Sequence, residues 1–300
     1  MAGRTCRHAR SAGHAADRGR NGHALFLDPA DSRPGAPAMS AGAMSGWLAI
    51  AGLGPGDEAL ITPEVTAALA GASDVIGYIP YVARIAPRAG LTLHPSDNRV
   101  ELDRAAHALE LAAQGRRVVV VSSGDPGVFA MAAAVFEALE AGPAHWRDLD
   151  IRVLPGITAM LAASARAGAP LGHDFCAINL SDNLKPWNLI EKRLRLAAEA
   201  DFAMAFYNPR SKARPEGFER VLELLREVCG PDRPILFARA VSTPDEQLRI
   251  VPLGQARADM ADMRTMVIVG SSLTRIIERT SGRKLGPILY TSRSALGSAS

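Results

Sequence analysis

"IAGLGPGDEALITPEV", residues 50–65, places three glycines and a proline between an apolar run and the start of a helix. The apolar residues that precede Gly52 are typical of a buried strand. Beyond the loop, Thr62 can cap a helix whose first turn holds Pro63 and Glu64. The stretch therefore predicts a strand, a glycine-rich loop and a helix, which is the repeating unit of α/β folds.

Strands and helices alternate from this unit to about residue 155. A strand is predicted at 74–79, and a helix at 101–115 ends at Gly115. That helix carries four residues on one face, Leu102, Ala106, Leu109 and Ala113. "RRVVVVSSGDPG", 116–127, has four consecutive valines, which indicate a strand covered on both faces, and then a second glycine-rich turn. A mostly parallel sheet is expected here.

A new series of elements starts after "LPGIT", 154–158, and strands outnumber helices toward its end. This pattern predicts a mixed sheet. We therefore expect an N-terminal α/β domain at 46–155, a C-terminal α/β domain at 156–290 and a tail at 291–300.

Residues 1–45 consist mainly of Arg, Ala, Gly, His and Pro without apolar periodicity, and they have no continuous apolar core of a secretory signal. We interpret them as disordered, or as the result of a start assigned upstream of Met39 or Met44. A transit peptide is the alternative, and three aspartates in the segment count against it.

Composition excludes several classes of protein. The net charge is only +3 over 300 residues, and the first 45 residues hold six Arg against three Asp, so no strong field favours nucleic acid or an anionic membrane. Apolar runs are shorter than the roughly 18 residues that a membrane helix needs. Cys6, Cys176 and Cys229 have no metal or disulfide spacing. A cytoplasmic protein with buried thiols is expected.

A glycine-rich loop between a strand and a helix is also a feature of dinucleotide-binding folds. A G-x-G-x-x-G motif from Gly52 would need glycine at 57, where Asp57 places a carboxylate near the expected phosphate. Asp74 has the spacing of the acidic residue that binds ribose, but it precedes its strand and lies at the wrong end. The sequence fits a nicotinamide oxidoreductase poorly.

Two acidic glycine-rich loops, 52–57 and 122–127, follow strands that we expect to be parallel, so both can line one crevice. Aspartates suit a ligand with hydroxyl groups or a positive centre better than a phosphate. S-adenosylmethionine has ribose hydroxyls, an amino group and a sulfonium, and is such a ligand. The alternative is that both loops are tight turns whose aspartates act as caps.

Three motifs in this order and spacing resemble the tetrapyrrole (corrin and porphyrin) methylase family: "GLGPGD" at 52–57, "SSGDPGVFAM" at 122–131 and "LPGITAMLAASARAGAPLGHDF" at 154–175. Two more, "INLSDNLKPWNLIEKRL" at 178–194 and "AFYNPRS" at 205–211, are similar to the members that methylate C17 in cobalamin biosynthesis. The resemblance covers roughly residues 46–290.

The resemblance implies a two-domain fold with a cleft between the domains, S-adenosylmethionine in that cleft, a homodimer and a methyl transfer that needs no protein-bound metal. Carried over motif by motif, it implies these cofactor-binding residues: Pro55, Gly124, Asp125, Pro126, Phe129, Thr158, Ala159, Asn208 and Pro252.

The implied substrate is a precorrin or another corrinoid tetrapyrrole, methylated with contraction of its ring. Contraction needs a base and a proton donor. Asp182 is the candidate base, or else a cap at the entry of a helix, and His173 is the candidate donor, or else a structural residue. Arg210 and Lys212 are candidates for binding substrate carboxylates, and Asp57 either contacts substrate or caps its turn.

Several alternatives stay open at this point. The substrate can be metal-free or contain cobalt, and another C-methylase of the corrin pathway is possible. "YTSRSA", 290–295, departs from the expected T-P-R-S/G-Y, with Ser292 for proline and Ala295 for tyrosine. This departure is compatible with a fold that binds tetrapyrrole without catalysis.

Overall fold

The computed structural model describes residues 46–97, 100–211, 215–279 and 286–295. The predictions for residues 1–45 and for Lys212 lie outside these ranges. The elements of the first half are β1 (Trp47–Gly52), α1 (Pro63–Gly71), β2 (Asp74–Tyr78), α2 (Ile79–Val82), β3 (Thr92–Ser96), α3 (Glu101–Ala113), β4 (Arg117–Ser122), α4 (Met131–Ala141) and β5 (Asp150–Leu154).

The second half contains more strands than helices. Its elements are α5 (Ala159–Ala167), β6 (Gly168–Ala169), β7 (Phe175–Asn179), α6 (Trp187–Glu199), β8 (Ala203–Tyr207), α7 (Gly217–Cys229), β9 (Pro234–Arg239), β10 (Gln247–Pro252), β11 (Thr265–Val269), β12 (Thr274–Ile277) and β13 (Ile288–Thr291).

The first sheet is parallel throughout, with the strand order β3-β2-β4-β1-β5. Its central strand β4 is covered on both faces, as the four valines predict. Val118 and Val120 belong to one apolar core, and Val119 and Val121 belong to another on the opposite face. Apolar burial on both faces therefore fixes this sheet between layers of helices.

The second sheet is mixed, with the order β10-β9-β11-β8-β7. Strands β7 and β8 are parallel, and β11 is antiparallel to both β8 and β9. The fold class predicted from the sequence, α/β with a parallel first sheet and a mixed second sheet, is confirmed. A small third sheet, β12-β13-β6, includes Thr291, so the last strand passes the predicted boundary at residue 290.

The chain crosses from one sheet to the other at Pro155 and Gly156, between β5 and α5. Ala162, Ala163 and Ala167 of α5 pack with Leu236 and Ile268 of the second sheet. This packing agrees with a boundary between residues 155 and 156, although the division into two domains stays a proposal.

Helix α3 differs from its expected packing. Of the four residues that share the predicted face, only Leu109 is buried, and Leu102 is 54% exposed. The buried stripe is rotated toward Ala105, Ala108 and Ala112, because α3 packs against α4 as well as the sheet. This crowded side needs small residues.

Asp74 is buried at the amino end of β2, the opposite end from the glycine-rich loops, as the sequence predicts. Arg116 donates two hydrogen bonds to its carboxylate, at 2.7 and 3.0 Å, and His94 Nε2 lies 2.9 Å from it. Burial alone would raise the pKa of Asp74, but these hydrogen bonds and one from Ser73 lower it to about 2. Asp74 therefore ties β2, β3 and β4 together.

Candidate active site

Two glycine-rich loops leave the carboxyl ends of β1 and β4 and bind each other through their backbones. Gly54 N–H donates to Gly124 O at 3.2 Å, and Gly124 N–H donates to Gly54 O at 2.9 Å. Both glycines have positive φ, 65° and 63°, which disfavours side chains here. The predicted convergence of the first two loops on one crevice is therefore found.

A third segment, 155–158, closes against both loops. A Cβ atom on Gly156 would lie 2.2 Å from Gly124 O and 2.8 Å from Gly52 O, far inside van der Waals contact. A Cβ atom on Gly52 would lie 2.5 Å from Gly124 O. The three backbones can approach this closely only because no side chain stands between them.

Asp125 links the second loop to the third segment. Its Oδ1 accepts the N–H of Gly127 at 2.8 Å, and its Oδ2 accepts the N–H of Gly156 at 3.1 Å. Hydrogen bonds to a carboxylate are stronger than neutral ones. We call the two glycine-rich loops, 52–57 and 122–127, together with the segment 155–158 the cradle of loops. The Asp125 side chain stabilises this cradle, and each of its oxygens keeps a second lone pair for a ligand.

Tyr207, at the end of β8, joins the second sheet to this cradle. Its hydroxyl makes a short hydrogen bond with the buried Thr158 Oγ1 and accepts the N–H of Met160 at 3.3 Å. Burial raises the pKa of Tyr207. The ring of Phe129 lies edge-on to Tyr207, 5.1 Å between centroids, and is 49% exposed. An exposed aromatic surface therefore borders the loops.

Asn208 follows Tyr207 in the left-handed conformation, with φ 51°. Its Nδ2 donates to Asn179 Oδ1 at 3.1 Å, and the same oxygen accepts the N–H of Ser181 at 2.9 Å. These bonds connect the carboxyl ends of β7 and β8. The exposed Asp182 follows directly, so it lies at the edge that carries Tyr207 and Asn208.

Asp57 acts as a cap in the first loop, since its Oδ1 accepts the N–H of Ala59 at 2.9 Å. The side chain is exposed beside the loop. Arg84 stabilises the same loop by donating to Leu53 O at 2.8 Å and to Gly56 O at 3.0 Å. Burial lowers the pKa of Arg84.

Residues 240–243, after β9, line one side of the cleft, and the motifs did not indicate them. Ala240 and Ser242 have φ of 49° and 61°, a costly conformation for residues other than glycine. A Cβ atom on Gly56 would lie 2.5 Å from Thr243 Cγ2. The first loop therefore packs against the second sheet, and the site is a cleft between the two sheets.

The description Tetrapyrrole (Corrin/Porphyrin) Methylases belongs to a family model that matches residues 48–257. The chain belongs to the tetrapyrrole methylase family. It is thus a methyltransferase, and the oxidoreductase alternative is set aside. The two glycine-rich loops and the segment 155–158 come from the three motifs on which the resemblance rested.

Curated relatives from the corrin pathway support this assignment. The precorrin-3B C(17)-methyltransferase of Sinorhizobium sp is 53% identical over 256 residues, which is 85% of this chain and 100% of the relative. The probable cobalt-factor III C(17)-methyltransferase of Salmonella typhimurium is 37% identical, over 81% of this chain and 99% of the relative.

Solved structures show the same fold. The structure of the methyltransferase CobJ is 70% identical, covers 83% of this chain and 100% of that chain, and has a TM-score of 0.78. The uroporphyrin-III C-methyltransferase of Thermus thermophilus, complexed with S-adenosyl homocysteine, has 22% identity and a TM-score of 0.57 over 75% of this chain and 97% of that chain. That second likeness shows the fold alone.

The structure brings most of the predicted methylase site together, but not Pro252 or His173. Because β10 runs antiparallel to β9, Pro252 pairs with Pro234, at the sheet edge opposite Asn208. His173 precedes β7 and lies near Asp174, with 3.7 Å between Nδ1 and Oδ2. Asp182 follows the other end of β7, and the two ends of this strand are about 13 Å apart at the usual rise per residue.

Arg210 lies two residues beyond Asn208 and donates from Nε to Pro215 O at 3.3 Å.

Among the described residues, no group of three or more His, Cys, Asp or Glu side chains could hold a metal ion. No helix in the described ranges is both long and apolar enough to span a membrane.

"YTSRSA" begins inside the small third sheet. Thr291 Oγ1 is buried, lies 2.8 Å from Thr274 Oγ1 and donates to Pro170 O. Ser292 N–H donates to Leu273 O at 3.2 Å. The divergent motif is therefore well integrated up to Ser292.

Proposed function

We propose that this protein transfers a methyl group from S-adenosylmethionine to C17 of precorrin-3B, with ring contraction to precorrin-4, in cobalamin biosynthesis. The observation that carries the proposal is the 53% identity to the precorrin-3B C(17)-methyltransferase of Sinorhizobium sp along that protein's whole length. The motif residues of the cleft support it, because they form one continuous site.

A comparison of two relatives bears on whether the substrate contains cobalt. Identity to the Salmonella typhimurium relative, whose name refers to cobalt-factor III, is only 37%. The difference from 53% favours a metal-free precorrin. Methylation of cobalt-factor III, or of another corrin intermediate, is the alternative.

We infer that the cleft fits S-adenosylmethionine. The proposed cofactor-binding residues are Pro55, Gly124, Asp125, Pro126, Phe129, Thr158, Ala159 and Asn208. Gly124 leaves the second loop without a side chain, and the Asp125 carboxylate can accept a hydrogen bond from a hydroxyl or amino group. The exposed ring of Phe129 suits a positive centre. Pro252 is not part of this proposal, since it lies at the opposite edge of its sheet.

S-adenosylmethionine supplies an electrophilic methyl group on a positively charged sulfur. The protein then has to hold an electron-rich carbon of the macrocycle in line with that methyl group, and such alignment can account for much of the rate. In this cleft, the glycine-rich loops and Thr158 are proposed to hold S-adenosylmethionine. The segments after β7 and β8 are proposed to face the macrocycle.

Ring contraction requires removal of a proton from a hydroxyl group of the macrocycle. We propose Asp182 as the base, because it is exposed at the edge that also carries Asn208. His173 remains the predicted proton donor. However, His173 and Asp182 lie beyond opposite ends of β7, which argues against both residues acting on the same bond of the substrate.

Arg210 and Lys212 are proposed to bind carboxylate side chains of the substrate, since both follow the end of β8 and a guanidinium can bind a carboxylate with two hydrogen bonds. Asp57 is proposed as a second contact from the first loop, in addition to its role as a cap.

We also propose that the protein acts as a cytoplasmic homodimer without a protein-bound metal, with one domain at 46–155 and a second from 156 to the end of β13 at Thr291. The support is the family resemblance and the packing of α5 on the second sheet.

Purified protein should be incubated with methyl-labelled S-adenosylmethionine and precorrin-3B, or with cobalt-factor III in a parallel reaction. We expect label in the precorrin product and at least tenfold less with cobalt-factor III. Equal or greater labelling of cobalt-factor III would favour the alternative substrate. Absence of transfer to either macrocycle, despite cofactor binding, would contradict the enzymatic proposal.

A further inference from the structure

A cavity of about 380 Å³ lies between the edge strand β3 and helix α3. Its lining includes His94 and Ser96 of β3, and Asp103, Arg104 and His107 of α3. Ser96 ends β3 at the same edge of the parallel sheet from which the glycine-rich loops leave. One end of the cavity therefore lies at that edge, and its lining contains none of the residues that the motifs indicated.

Arg104 is the buried charged residue of this cavity, only 4% exposed, whereas Asp103 is exposed. Its Nε donates to Ser96 Oγ at 2.8 Å, its Nη1 to Met131 Sδ at 3.2 Å and its Nη2 to the backbone oxygen of Asp97. All three acceptors are uncharged. Among the described residues, no carboxylate forms an ion pair with Arg104, whereas Arg116 of the same sheet has Asp74.

A buried charge without a counter-charge is costly, and proteins usually pair it. Burial lowers the pKa of Arg104 more than Glu101, Tyr81 and Asp97 raise it. Glu101, Asp97 and Asp103 are exposed, so solvent screens their charges. A guanidinium has five N–H donors, and three are used here, which leaves one on each terminal nitrogen. Two such donors match one carboxylate.

Arg104 is also connected to the cofactor loops. Met131, which its Nη1 contacts, is the first residue of α4 directly after the second glycine-rich loop. Tyr81 forms a side-chain hydrogen bond with Ser123 of that loop. Strand β3 is three strand spacings, about 14 Å, from β1. A corrin ring with extended carboxylate side chains can cover such a distance.

We propose that Arg104 binds a carboxylate side chain at the rim of the tetrapyrrole and thereby positions the ring over the cofactor loops. This inference rests on the proposed function, because that function supplies the polycarboxylate. Arg104 is a positioning residue in this account. Its anionic partner is then the substrate itself, in place of the ion pair that no described carboxylate forms with it.

The test compares two corrins that are stable in solution: cobyrinic acid, whose side chains are free carboxylates, and its heptaamide. Binding of each is measured by calorimetric titration of the full chain and of Arg104→Gln. We expect the variant to bind cobyrinic acid about tenfold more weakly, the size of one lost charge-assisted hydrogen bond, and to bind the heptaamide within twofold of wild type. Affinity for S-adenosylmethionine should stay unchanged.

Arg226→Gln is the matched control. Arg226 also donates to backbone oxygens, of Leu253 and Ala256, but it has an acidic partner in Glu219 and lies on α7, far along the chain from β3. This variant should bind both corrins as wild type does. Arg104→Lys keeps the charge without the planar fork, and we expect an intermediate loss for cobyrinic acid alone. If Arg104→Gln does not fold, Arg104→Lys carries the test.

Three results would overturn the proposal: unchanged binding of cobyrinic acid by the Arg104 variants, equal loss for the acid and the heptaamide, or a wild-type protein that does not prefer the acid. Failure of the proposed function looks different. In that case wild type would bind cobyrinic acid through Arg104 and still transfer no methyl group to precorrin-3B.

Discussion

Asp125 and Asp182 are both carboxylates at the cleft, but they differ in their contacts and exposure. Asp125 uses both oxygens to hold Gly127 and Gly156, so it fixes two backbone segments, and each oxygen keeps a lone pair for a ligand. Asp182 is exposed on the loop after β7, where it can face a macrocycle. Asp125 therefore shapes the glycine-rich loops, and Asp182 is the residue proposed to act in the chemistry.

This difference predicts that one substitution weakens cofactor binding and that the other lowers the catalytic rate. Asp125→Ala should weaken S-adenosylmethionine binding at least tenfold, because two charge-assisted hydrogen bonds of the cradle are lost. Asp182→Asn should keep cofactor affinity within twofold and lower kcat by about 100-fold, the usual scale for a lost general base. Equilibrium binding and single-turnover rates measure the two effects. Normal turnover by Asp182→Asn would show that another group is the base.

Single residues of the site could be predicted where a motif carries them, and not where a tertiary contact makes them. Asp125 and Thr158 stand in motifs. Tyr207 matters through Thr158, which is 49 positions earlier in the chain, and spacing does not show such a pair. Ser242 was missed because its positive φ is imposed by the fold and a serine gives no signal of it.

At the scale of elements, the glycine-rich loops are defined by backbone contact more than by ligand contact. Gly52 and Gly156 approach Gly124 O so closely that a methyl group fits at neither position. The sequence predicted the loops and the strands before them, since four buried valines and a capped helix start are local signals. It did not predict β3, β6, β12 or β13, which are edge or short strands with weak apolar alternation.

Gly156→Ala tests the close approach of the loops. The added methyl group would meet Gly124 O at 2.2 Å, so the third segment must move away from the second loop. We expect S-adenosylmethionine affinity to fall at least tenfold and the unfolding free energy to fall by about 2 kcal/mol, in the range for overpacking. Isothermal binding and urea unfolding measure these changes.

Gly71→Ala is the control for that experiment, because the nearest atom to its added Cβ would be Trp47 Cζ2 at 3.7 Å, an ordinary contact. It should change stability by less than about 1 kcal/mol, the propensity difference between glycine and alanine in a helix, and leave cofactor binding intact. A Gly156→Ala protein that binds cofactor like wild type would contradict the role given to the three glycines.

At the scale of the whole molecule, two sheets present their functional edges to each other. The loop after β1 approaches Thr243, beyond β9, and the segment after β4 contacts Tyr207, at the end of β8, through the ring of Phe129. The alternation of elements predicts both sheets, but not which edges meet. That arrangement depends on α5, whose small residues let it pack on the second sheet directly after the third segment. The cleft thus depends on contacts between the first half of the chain and the second.

The central claim is methyl transfer to C17 with ring contraction, and the position of the new carbon tests it most directly. S-adenosylmethionine carrying a ¹³C-methyl group should be turned over with precorrin-3B, and the product examined by ¹³C NMR. The account predicts one labelled methyl group on C17 and the acetyl group of a contracted ring. Label at another carbon, or at C17 of a ring that has not contracted, would contradict it.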